Sequence, residues 1–224
     1  MKTTIIIPTK NEEKTIKKII NGARPYGNEI IIVDGHSKDN TREVAKKLKT
    51  KVIIDNRKGK GAALRIAAKN ARYNLLVFID ADGSHNPKDI KKLVLPIKNN
   101  HADLVIGSRM RGGSDELHGN FSQFIRLMGN TIINLIINYI FNRQFTDCQN
   151  GFRAIKKGVF LDIKTKENRF TIEQEMVIKC LKKKYNVIEV PAHEYVRVHG
   201  KSNINLFKEG WRYVWSLFKN IFFN

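Results

Sequence analysis

The sequence predicts an α/β fold in which a mostly parallel sheet is flanked by helices. Short apolar runs without a helical period alternate with amphipathic segments. This strand–helix unit repeats four times, as expected when helices connect parallel strands and cover both faces of their sheet. Polar or charged residues follow each apolar run, and ligands of such sheets bind at the carboxyl ends of the strands.

The individual elements follow from local pattern. The predicted strands cover residues 4–7, 29–33, 52–54, 75–79, 104–106 and 151–155. The predicted helices cover residues 12–23, 62–72 and 87–97, and another, capped by Ser37 or Asp39, ends at Leu48. In the first helix Ile16, Ile19 and Ile20 share one face, and Pro87 suits the first turn of the last helix.

The strand at residues 75–79 leads into two carboxylates, Asp80 and Asp82. Side chains two residues apart on an extended segment point the same way, so both can face one point. Carboxylates this close repel each other unless a cation lies between them, and Mg²⁺ binds carboxylates together with substrate phosphates. The pair indicates a metal–diphosphate site; the alternative is that both residues only cap the next helix.

Lys60 follows the third predicted strand, between Gly59 and Gly61. The segment matches a P-loop only in part, because the upstream glycine and the hydroxyl residue after the lysine are missing. Two interpretations stay open. Lys60 contacts a nucleotide at the strand end, or it belongs to a flexible turn before a helix.

Composition predicts an anionic partner. The 224 residues contain 41 Lys and Arg against 21 Asp and Glu, a formal charge of +20. Nucleotide, lipid phosphate, membrane surface and nucleic acid all fit this charge, as does a merely well-solvated surface. A nucleic-acid module needs stacking aromatics among its basic residues, whereas the aromatics here concentrate at the C-terminus, so we predict no nucleic-acid partner.

The cysteines and the hydropathy of the sequence predict the cellular location of the protein. Cys148 and Cys180 fit neither a disulfide framework nor a zinc site, which predicts a reducing cytoplasm. The first residues run directly into a strand, which predicts no signal peptide. No run of about 18 uninterrupted apolar residues occurs, which predicts no membrane span.

Several motifs together resemble a known family. They are IPTKNE (7–12), VDGHSKDNT (33–41), GKGAA (59–63), DADG (80–83), VIGSR (105–109), TDCQNGFR (146–153), EVP (189–191) and RVHGKS (197–202). In this order they resemble the family 2 inverting glycosyltransferases of the GT-A fold. The last three are similar to the branch of dolichyl-phosphate mannose synthases and polyprenyl-phosphate glucosyltransferases. We therefore predict a GT-A catalytic domain at residues 1–205.

The resemblance implies a nucleotide-diphosphate-sugar donor, GDP-mannose or UDP-glucose, with GDP-mannose favoured. It assigns the base and ribose to Pro8, Thr9, Asn11, Glu12 and Asp34. It assigns the ribose, the diphosphate and an Mg²⁺ or Mn²⁺ ion to Asp80, Ala81 and Asp82, with the two aspartates as metal ligands. Lys60 joins this set from its place at a strand end.

The resemblance also implies a dolichyl or polyprenyl monophosphate acceptor, with a soluble or glycan acceptor as the alternative. A phosphate monoester is mostly dianionic at neutral pH, so it needs positioning by positive charge rather than a strong base. By family position its phosphate would contact Arg109, Arg126, Asn130, Arg197 and Lys201. We expect Asp82, Arg109 and Arg197 to act most directly in catalysis.

A few further residues have two interpretations. Asp147 and Gln149 lie near the donor sugar by family position, or they form a turn before a strand. Glu173 and Glu175 contribute to the site, or they interact with a helix N-terminus. The histidines His85, His118, His193 and His199 show no metal-ligand spacing and are interpreted as ordinary loop and surface residues.

Two stretches predict membrane contact. Residues 132–141 are too apolar for a surface helix and too short to span, and residues 206–224 interleave aromatics with Lys208, Arg212 and Lys219. This pattern is typical of an amphipathic helix in the membrane interface; packing against the sheet or a dimer partner is the alternative. We expect a peripheral protein on the cytoplasmic face of the cell membrane, with a membrane-anchoring subunit or a second copy as candidate partners.

Overall fold

A computed structural model describes residues 1–116, 121–197 and 206–223. Within these residues seven strands form one sheet: β1 (Thr3–Thr9), β2 (Glu29–Asp34), β3 (Lys51–Ile54), β4 (Leu75–Phe78), β5 (Leu104–Ser108), β6 (Arg153–Lys156) and β7 (Val187–Pro191). The strand order is β3-β2-β1-β4-β6-β5-β7. Only β6 is antiparallel to its neighbours, so the predicted, mostly parallel α/β sheet is confirmed.

The helices are α1 (Ile16–Ala23), α2 (Thr41–Lys47), α3 (Lys60–Asn70), α4 (Ile90–Lys98), α5 (Arg109–Gly112), α6 (Phe121–Phe141), α7 (Lys157–Asp162), α8 (Ile172–Lys182) and α9 (Leu206–Phe222). The first helix begins at Ile16 rather than at Glu12. The Thr41 hydroxyl accepts the Glu12 amide and the Asp39 carboxylate accepts the Glu13 amide, which holds this segment against the next loop.

Apolar side chains cover the sheet on both faces. Ile16, Ile20 and Ile97 of α1 and α4 pack on one face, while α3, α6, α7, α8 and α9 contribute to the core on the other. Leu217 places α9 in that second core at 2% exposure. Burial on both faces explains why the strands read as continuous apolar runs.

The antiparallel strand β6 shapes the ligand-binding edge of the sheet. Its first residue, Arg153, pairs with Phe78 at the end of β4 and with Ile106 of β5. The loop that enters β6 therefore lies beside the residues that leave β4. The sequence predicts a strand at this place but gives no sign of its direction.

Helix α6 is longer than the apolar stretch at residues 132–141 indicates. Within the described residues, Gln123–Phe141 is the one helix long and apolar enough, by length and composition alone, to cross a membrane, and 22% of it is buried. Counting uninterrupted apolar residues missed it because Asn130, Asn134 and Asn138 break the run. The helix is a candidate by length and composition alone, so the absence of a membrane span stays a prediction.

Gly112 allows α5 to pack directly against the chain that follows β7. A Cβ atom there would overlap the backbone of Ala192. We expect Gly112→Ala to lower the free energy of unfolding by about 1–3 kcal/mol, since the backbone must move. Urea unfolding measures this loss.

The matched control is Gly158→Ala in α7, where a Cβ meets nothing within 4 Å. This helical replacement should be neutral or stabilising by about 0.4–1 kcal/mol. Equal midpoints for wild type and Gly112→Ala would contradict the packing described.

Candidate active site

A cavity of about 380 Å³ opens at the carboxyl edge of the sheet. Its walls come from the loops after β4 and β5, the loop before β6, the chain after β7, and helices α6 and α9. The predicted residues that line it are Lys60, Asp80, Asp82, Arg109, Arg126, Asn130, Gln149, Glu173 and Arg197. The predicted acidic and basic groups therefore share one cleft.

Lys60 joins two carboxylates in the wall of the cavity. Its Nζ lies 2.7 Å from Asp80 Oδ1 and 3.0 Å from Glu173 Oε1. Burial would lower the pKa of Lys60, but the two carboxylates outweigh it and raise that pKa. Burial would likewise raise the pKa of Asp80, yet Lys60 brings it below its usual value. Lys60 and Asp80 therefore both stay charged at neutral pH.

The glycines beside Lys60 have a structural reason. Gly59 has φ +112°, a conformation that side chains rarely adopt, and a Cβ at Gly61 would overlap the Glu167 carbonyl. The Gly61 amide donates to the Asn168 carbonyl at 2.8 Å. The glycines thus let this loop contact the chain before α8, and Lys60 begins an ordered helix rather than a flexible turn.

Asp82 is paired with the other end of the chain. Arg197 Nη2 lies 2.8 Å from Asp82 Oδ2, and the amide and hydroxyl of Ser84 donate to Asp82 Oδ1 at 3.0 and 2.7 Å. The Arg197 amide donates to Glu116 at 3.0 Å. Asp82 and Arg197, predicted to act together, are in direct contact.

The donor atoms fit a hard divalent cation. Asp80 and Asp82 present carboxylate oxygens to the same cavity, and Mg²⁺ prefers such ligands. Within the part of the chain that the structure describes, no group of three or more His, Cys, Asp or Glu side chains is arranged to hold a metal. Two carboxylates suit an ion that takes its other ligands from phosphates and water.

Arg109 lines the cavity and is paired with two carboxylates. Its Nε and Nη2 lie 2.7 and 2.9 Å from the two oxygens of Asp147, and its Nη1 lies 3.2 Å from Glu194 Oε1. Burial would lower the pKa of Arg109, but these carboxylates raise it, and Arg109 lowers the pKa of Asp147 against the effect of burial. Two carboxylate partners fix the Arg109 side chain in the wall, as Asp80 and Glu173 fix Lys60. The role of Arg109 towards an acceptor phosphate stays a prediction.

Asparagines on one face of α6 hold the loop that carries Asp147. Asn134 donates to the Thr146 carbonyl at 2.7 Å and accepts from the Cys148 amide at 2.9 Å. Asn138 makes two such bonds with Phe145, and Asn130 donates to Asp147 Oδ1 at 3.3 Å. The spacing of these asparagines, i, i+4 and i+8, places them on one face of an apolar helix and is visible in the sequence. Among them only Asn130 was a predicted site residue.

Two acidic residues in and after β7 were also missed. Glu189 accepts from the amides of Thr146 and Asp147 at 2.9 and 2.7 Å. Glu194 accepts from Ser114 at 2.6 Å as well as from Arg109. Glu189 belongs to the EVP motif at residues 189–191, to which no role was assigned, and Glu194 lies outside every motif.

His85 is also corrected. It is 3% exposed rather than on the surface, lines the cavity, and stacks on Phe152 with ring centroids 4.9 Å apart. Burial lowers the pKa of His85 more than the nearby carboxylates raise it. The ring is therefore neutral at pH 7.

The residues predicted to bind the base and ribose form a neighbouring cluster outside the lining of this cavity. Asp34 is fully buried, and its two oxygens accept from the amide and hydroxyl of Ser37. Asn11 accepts from the Lys38 amide at 2.8 Å. Burial raises the pKa of Glu12, and Asp82 adds to that rise, which places Glu12 near the cavity.

The remaining predicted site residues lie at the end of β1, in the core, or outside the described residues. Pro8 and Thr9 end β1, and Ala81 is 3% exposed within the core. Lys201 lies outside the described residues, as do His118 and His199.

Comparison with known proteins identifies the family. Residues 4–163 match the family model described as glycosyl transferase family 2. The chain belongs to this family. It is a glycosyltransferase, as the motifs predict.

Curated relatives are similar over most of the chain. Glycosyltransferase AglJ of Haloferax volcanii is 33% identical over 92% of this chain and 67% of its own length. The UDP-N-acetylglucosamine–dolichyl-phosphate N-acetylglucosaminyltransferase of Methanococcus voltae is 31% identical over 93% of both. The dolichol-phosphate mannosyltransferase of Pyrococcus furiosus is 33% identical over 91% of this chain and 59% of its own length.

A solved structure shares the fold. Glucosyl-3-phosphoglycerate synthase of Mycobacterium tuberculosis, in complex with Mn²⁺, UDP and glucosyl-3-phosphoglycerate, superposes with a TM-score of 0.78. The match covers 98% of this chain and 80% of that one, at 19% identity. At that identity the likeness concerns the fold, and it confirms the predicted GT-A architecture.

The buried Asp147–Arg109 pair predicts a pH-dependent loss of stability. We expect Asp147→Asn to lower the free energy of unfolding by about 3–5 kcal/mol at pH 7, since Arg109 would lose its main partner. Because the folded-state pKa of Asp147 is lowered, the pair stabilises fully above its unfolded pKa of about 3.9 and progressively less as pH falls towards the folded value. Urea unfolding at pH 7 and pH 3 should show the gap between wild type and variant shrinking.

Asp162→Asn is the matched control. Asp162 also has a basic partner, Lys183 at 2.7 Å, but in an exposed position, so replacing Asp162 should change stability little. An Asp147→Asn protein as stable as wild type at pH 7 would contradict the role given to the pair.

Proposed function

We propose that this glycosyltransferase transfers a hexose, with inversion and in the presence of Mg²⁺ or Mn²⁺, from a nucleotide-diphosphate sugar to dolichyl or polyprenyl phosphate. GDP-mannose is the favoured donor. One observation carries the proposal: a single cleft has a carboxylate pair with compensating cations on one side and an arginine beside apolar helices on the other. The names of the Methanococcus voltae and Pyrococcus furiosus relatives support the lipid-phosphate acceptor.

The donor diphosphate is proposed to bind at Asp80 and Asp82. An Mg²⁺ or Mn²⁺ ion held by these carboxylates would neutralise charge on the departing diphosphate. Lys60 and Arg197 contact the same carboxylates, so phosphate oxygens at this wall lie within their reach. The neighbouring cluster of Pro8, Thr9, Asn11, Glu12 and Asp34, together with Ala81, is proposed to hold the base and ribose.

The acceptor phosphate is proposed to bind at Arg126 and Arg197. Arg126 lines the cavity and makes no ion pair with any residue that the structure describes. The charge of Arg126 is therefore available to an anion. The charge of Arg109 is less available, because Arg109 is already paired with two carboxylates. Arg109 and Asn130 hold Asp147 in place, and Lys201 stays a proposed contact. The dianionic phosphate attacks the anomeric carbon without a strong base.

Membrane contact is proposed for the outer faces of α6 and α9. Their exposed apolar residues include Phe124, Met128, Ile132, Leu135, Trp211, Trp215, Phe218 and Phe222. Ile125 and Ile132 of α6 and Val214 of α9 also line the cavity. An apolar surface thus continues from the outside into the cleft, as a prenyl chain requires. We propose a peripheral position on the inner face of the cell membrane; a membrane-anchoring subunit or a second copy could share this surface.

A UDP-sugar is the second candidate donor. The Methanococcus voltae relative matches nearly the full length of both chains, and its name specifies a UDP-linked sugar. UDP-glucose and UDP-N-acetylglucosamine are therefore tested beside GDP-mannose.

The first test is transfer by an Asp82→Ala variant. Wild type, a divalent ion, dolichyl phosphate and each donor are incubated, and lipid-extractable labelled sugar is counted. We expect Asp82→Ala to lower transfer about 100-fold or more, since charge on the leaving diphosphate loses its compensation.

Asp103→Asn is the control, because Asp103 pairs with Lys156 at 2.9 Å beside the start of β5, away from the cavity. It should transfer like wild type. Full activity of Asp82→Ala, or of wild type in excess chelator, would contradict the metal assignment. No lipid product from any donor would remove the proposed acceptor.

The second test is binding to lipid vesicles that contain anionic lipid. We expect Trp211→Ser with Trp215→Ser to weaken co-sedimentation about tenfold or more, since two exposed aromatics on α9 lose their place in the interface. Leu95→Ser is the control, since Leu95 is 58% exposed on α4, which packs on the other face of the sheet. Equal vesicle binding by both variants, with wild type dimeric in solution, would assign the surface to a second copy.

A further inference from the structure

Two segments that border the cavity lie side by side. They are the end of α5 with the loop after it, residues 112–116 (the α5 loop), and residues 192–197 after β7 (the β7 extension). Glu116 and Arg197 both line the cavity. The Arg197 amide donates to Glu116 Oε1 at 3.0 Å, and the Arg197 guanidinium contacts Asp82 at 2.8 Å. The place of Arg197 beside Asp82 therefore depends on how firmly the two segments are joined.

His193 joins the two segments through both of its ring nitrogens. Nδ1 lies 3.0 Å from the Gly112 carbonyl oxygen, and Nε2 lies 3.0 Å from Asp115 Oδ1. A carbonyl and a carboxylate can only accept hydrogen bonds. A neutral imidazole has one N–H and can satisfy one of these partners, whereas an imidazolium donates to both. The geometry is therefore that of a protonated histidine.

The surroundings of His193 favour this proton. Its hydrogen bonds, to Asp115 first and then to the Gly112 carbonyl, raise the pKa of His193 more than its slight burial lowers it. The carboxylate of Asp89, which precedes α4, adds to the rise. The ring of Tyr195 lies 4.6 Å from the imidazole, measured between ring centroids. Two carboxylates thus face His193 from elements other than its own.

The β7 extension is also tied to the loop that carries Asp82. The Tyr195 amide donates to the Ser84 carbonyl at 2.8 Å. Ser84 in turn donates to Asp82 through its amide and its hydroxyl. A change in how His193 is held can therefore reach both the position of Arg197 and the carboxylate that Arg197 contacts.

We propose that His193 is a positioning residue for Arg197. While its imidazole is protonated, His193 fastens the β7 extension to the α5 loop and so holds Arg197 beside Asp82. Because the folded-state pKa of His193 is raised, this stabilisation is complete below the unfolded pKa of about 6.5 and is lost as the pH rises through the folded value. Other groups make the remaining hydrogen bonds between the two segments, so the fold persists while the hold on Arg197 weakens.

The test is amide hydrogen exchange of residues 193–197, read by mass spectrometry at pH 6 and pH 8.5 and corrected for the intrinsic exchange rate at each pH. In wild type, protection should fall about fivefold from the lower to the higher pH, as expected when one hydrogen bond is lost. His193→Phe keeps a ring beside Tyr195 but has no donor. This variant should show the lower protection at both pH values.

Asp115→Asn separates the proton from the contact. An asparagine offers a carbonyl oxygen to the imidazolium and an amide N–H to the neutral ring, so it can pair with His193 in both protonation states. Protection in Asp115→Asn should therefore change by less than about twofold between the two pH values. A merely structural role of Asp115 would not remove the pH dependence.

His101→Gln is the matched control. His101 is exposed between α4 and β5, and its side chain lies outside the lining of the cavity. This variant should keep the pH dependence of wild type.

One consequence rests on the proposed function. If Arg197 positions the acceptor phosphate, the KM of His193→Phe for dolichyl phosphate should exceed that of wild type about fivefold at pH 6 and approach it at pH 8.5. The acceptor phosphate titrates near about pH 6 with either enzyme, so the ratio of the two KM values removes its effect.

The inference is overturned if the corrected protection of residues 193–197 in wild type is equal at both pH values, or if Asp115→Asn loses protection as wild type does. Equal acceptor KM values for His193→Phe and wild type at pH 6 overturn the link to the acceptor. Exchange is measured without donor or acceptor. Absence of lipid product from every donor therefore refutes the proposed function, while the exchange result still decides whether His193 positions Arg197.

Discussion

Charge compensation at the carboxyl edge of the sheet is the constraint on which the rest of the structure depends. Asp80 and Asp82, which line the cleft, and the buried Asp147 in the loop before β6 each have a basic partner within 2.8 Å: Lys60, Arg197 and Arg109. Buried charges without such partners would oppose folding. The same pairing keeps basic and acidic side chains together beside the cavity. An anionic substrate that binds there can replace a carboxylate as the partner of a basic side chain.

The fold delivers these partners from distant parts of the chain. Lys60 begins α3, Arg109 begins α5, and Arg197 follows β7, where the Tyr195 amide donates to the Ser84 carbonyl at 2.8 Å and fixes the last segment beside Asp82. The antiparallel strand β6 brings the loop of Asp147 and Gln149 to the same edge. Helix α6 connects the loop to the surface, because its asparagines hold that loop while other residues of the helix, such as Ile132 and Leu135, are exposed.

Local pattern predicted six of the seven strands that the structure describes, several helices and the carboxylate pair, because apolar period and short motifs are local properties. It did not predict β7. Lys60 was placed at this edge by its position after a strand, whereas Arg126 and Arg197 were assigned to the site only through the family resemblance. Local pattern could not give the direction of β6 or the partners of Arg109, which depend on contacts between residues far apart in sequence. His85 was wrongly predicted to be a surface residue for the same reason. Its burial against Phe152 is a tertiary contact that cannot be predicted from a single histidine in the sequence.

The central claim is that Asp80 and Asp82 hold a divalent ion that the donor diphosphate shares. A crystal structure with Mn²⁺ and a nucleoside diphosphate, with the ion located by anomalous scattering, tests it most directly. We expect the anomalous peak between the two carboxylates, with Lys60 or Arg197 turned towards phosphate oxygens. A peak elsewhere, with the Asp80–Lys60 and Asp82–Arg197 pairs unchanged, would contradict the account.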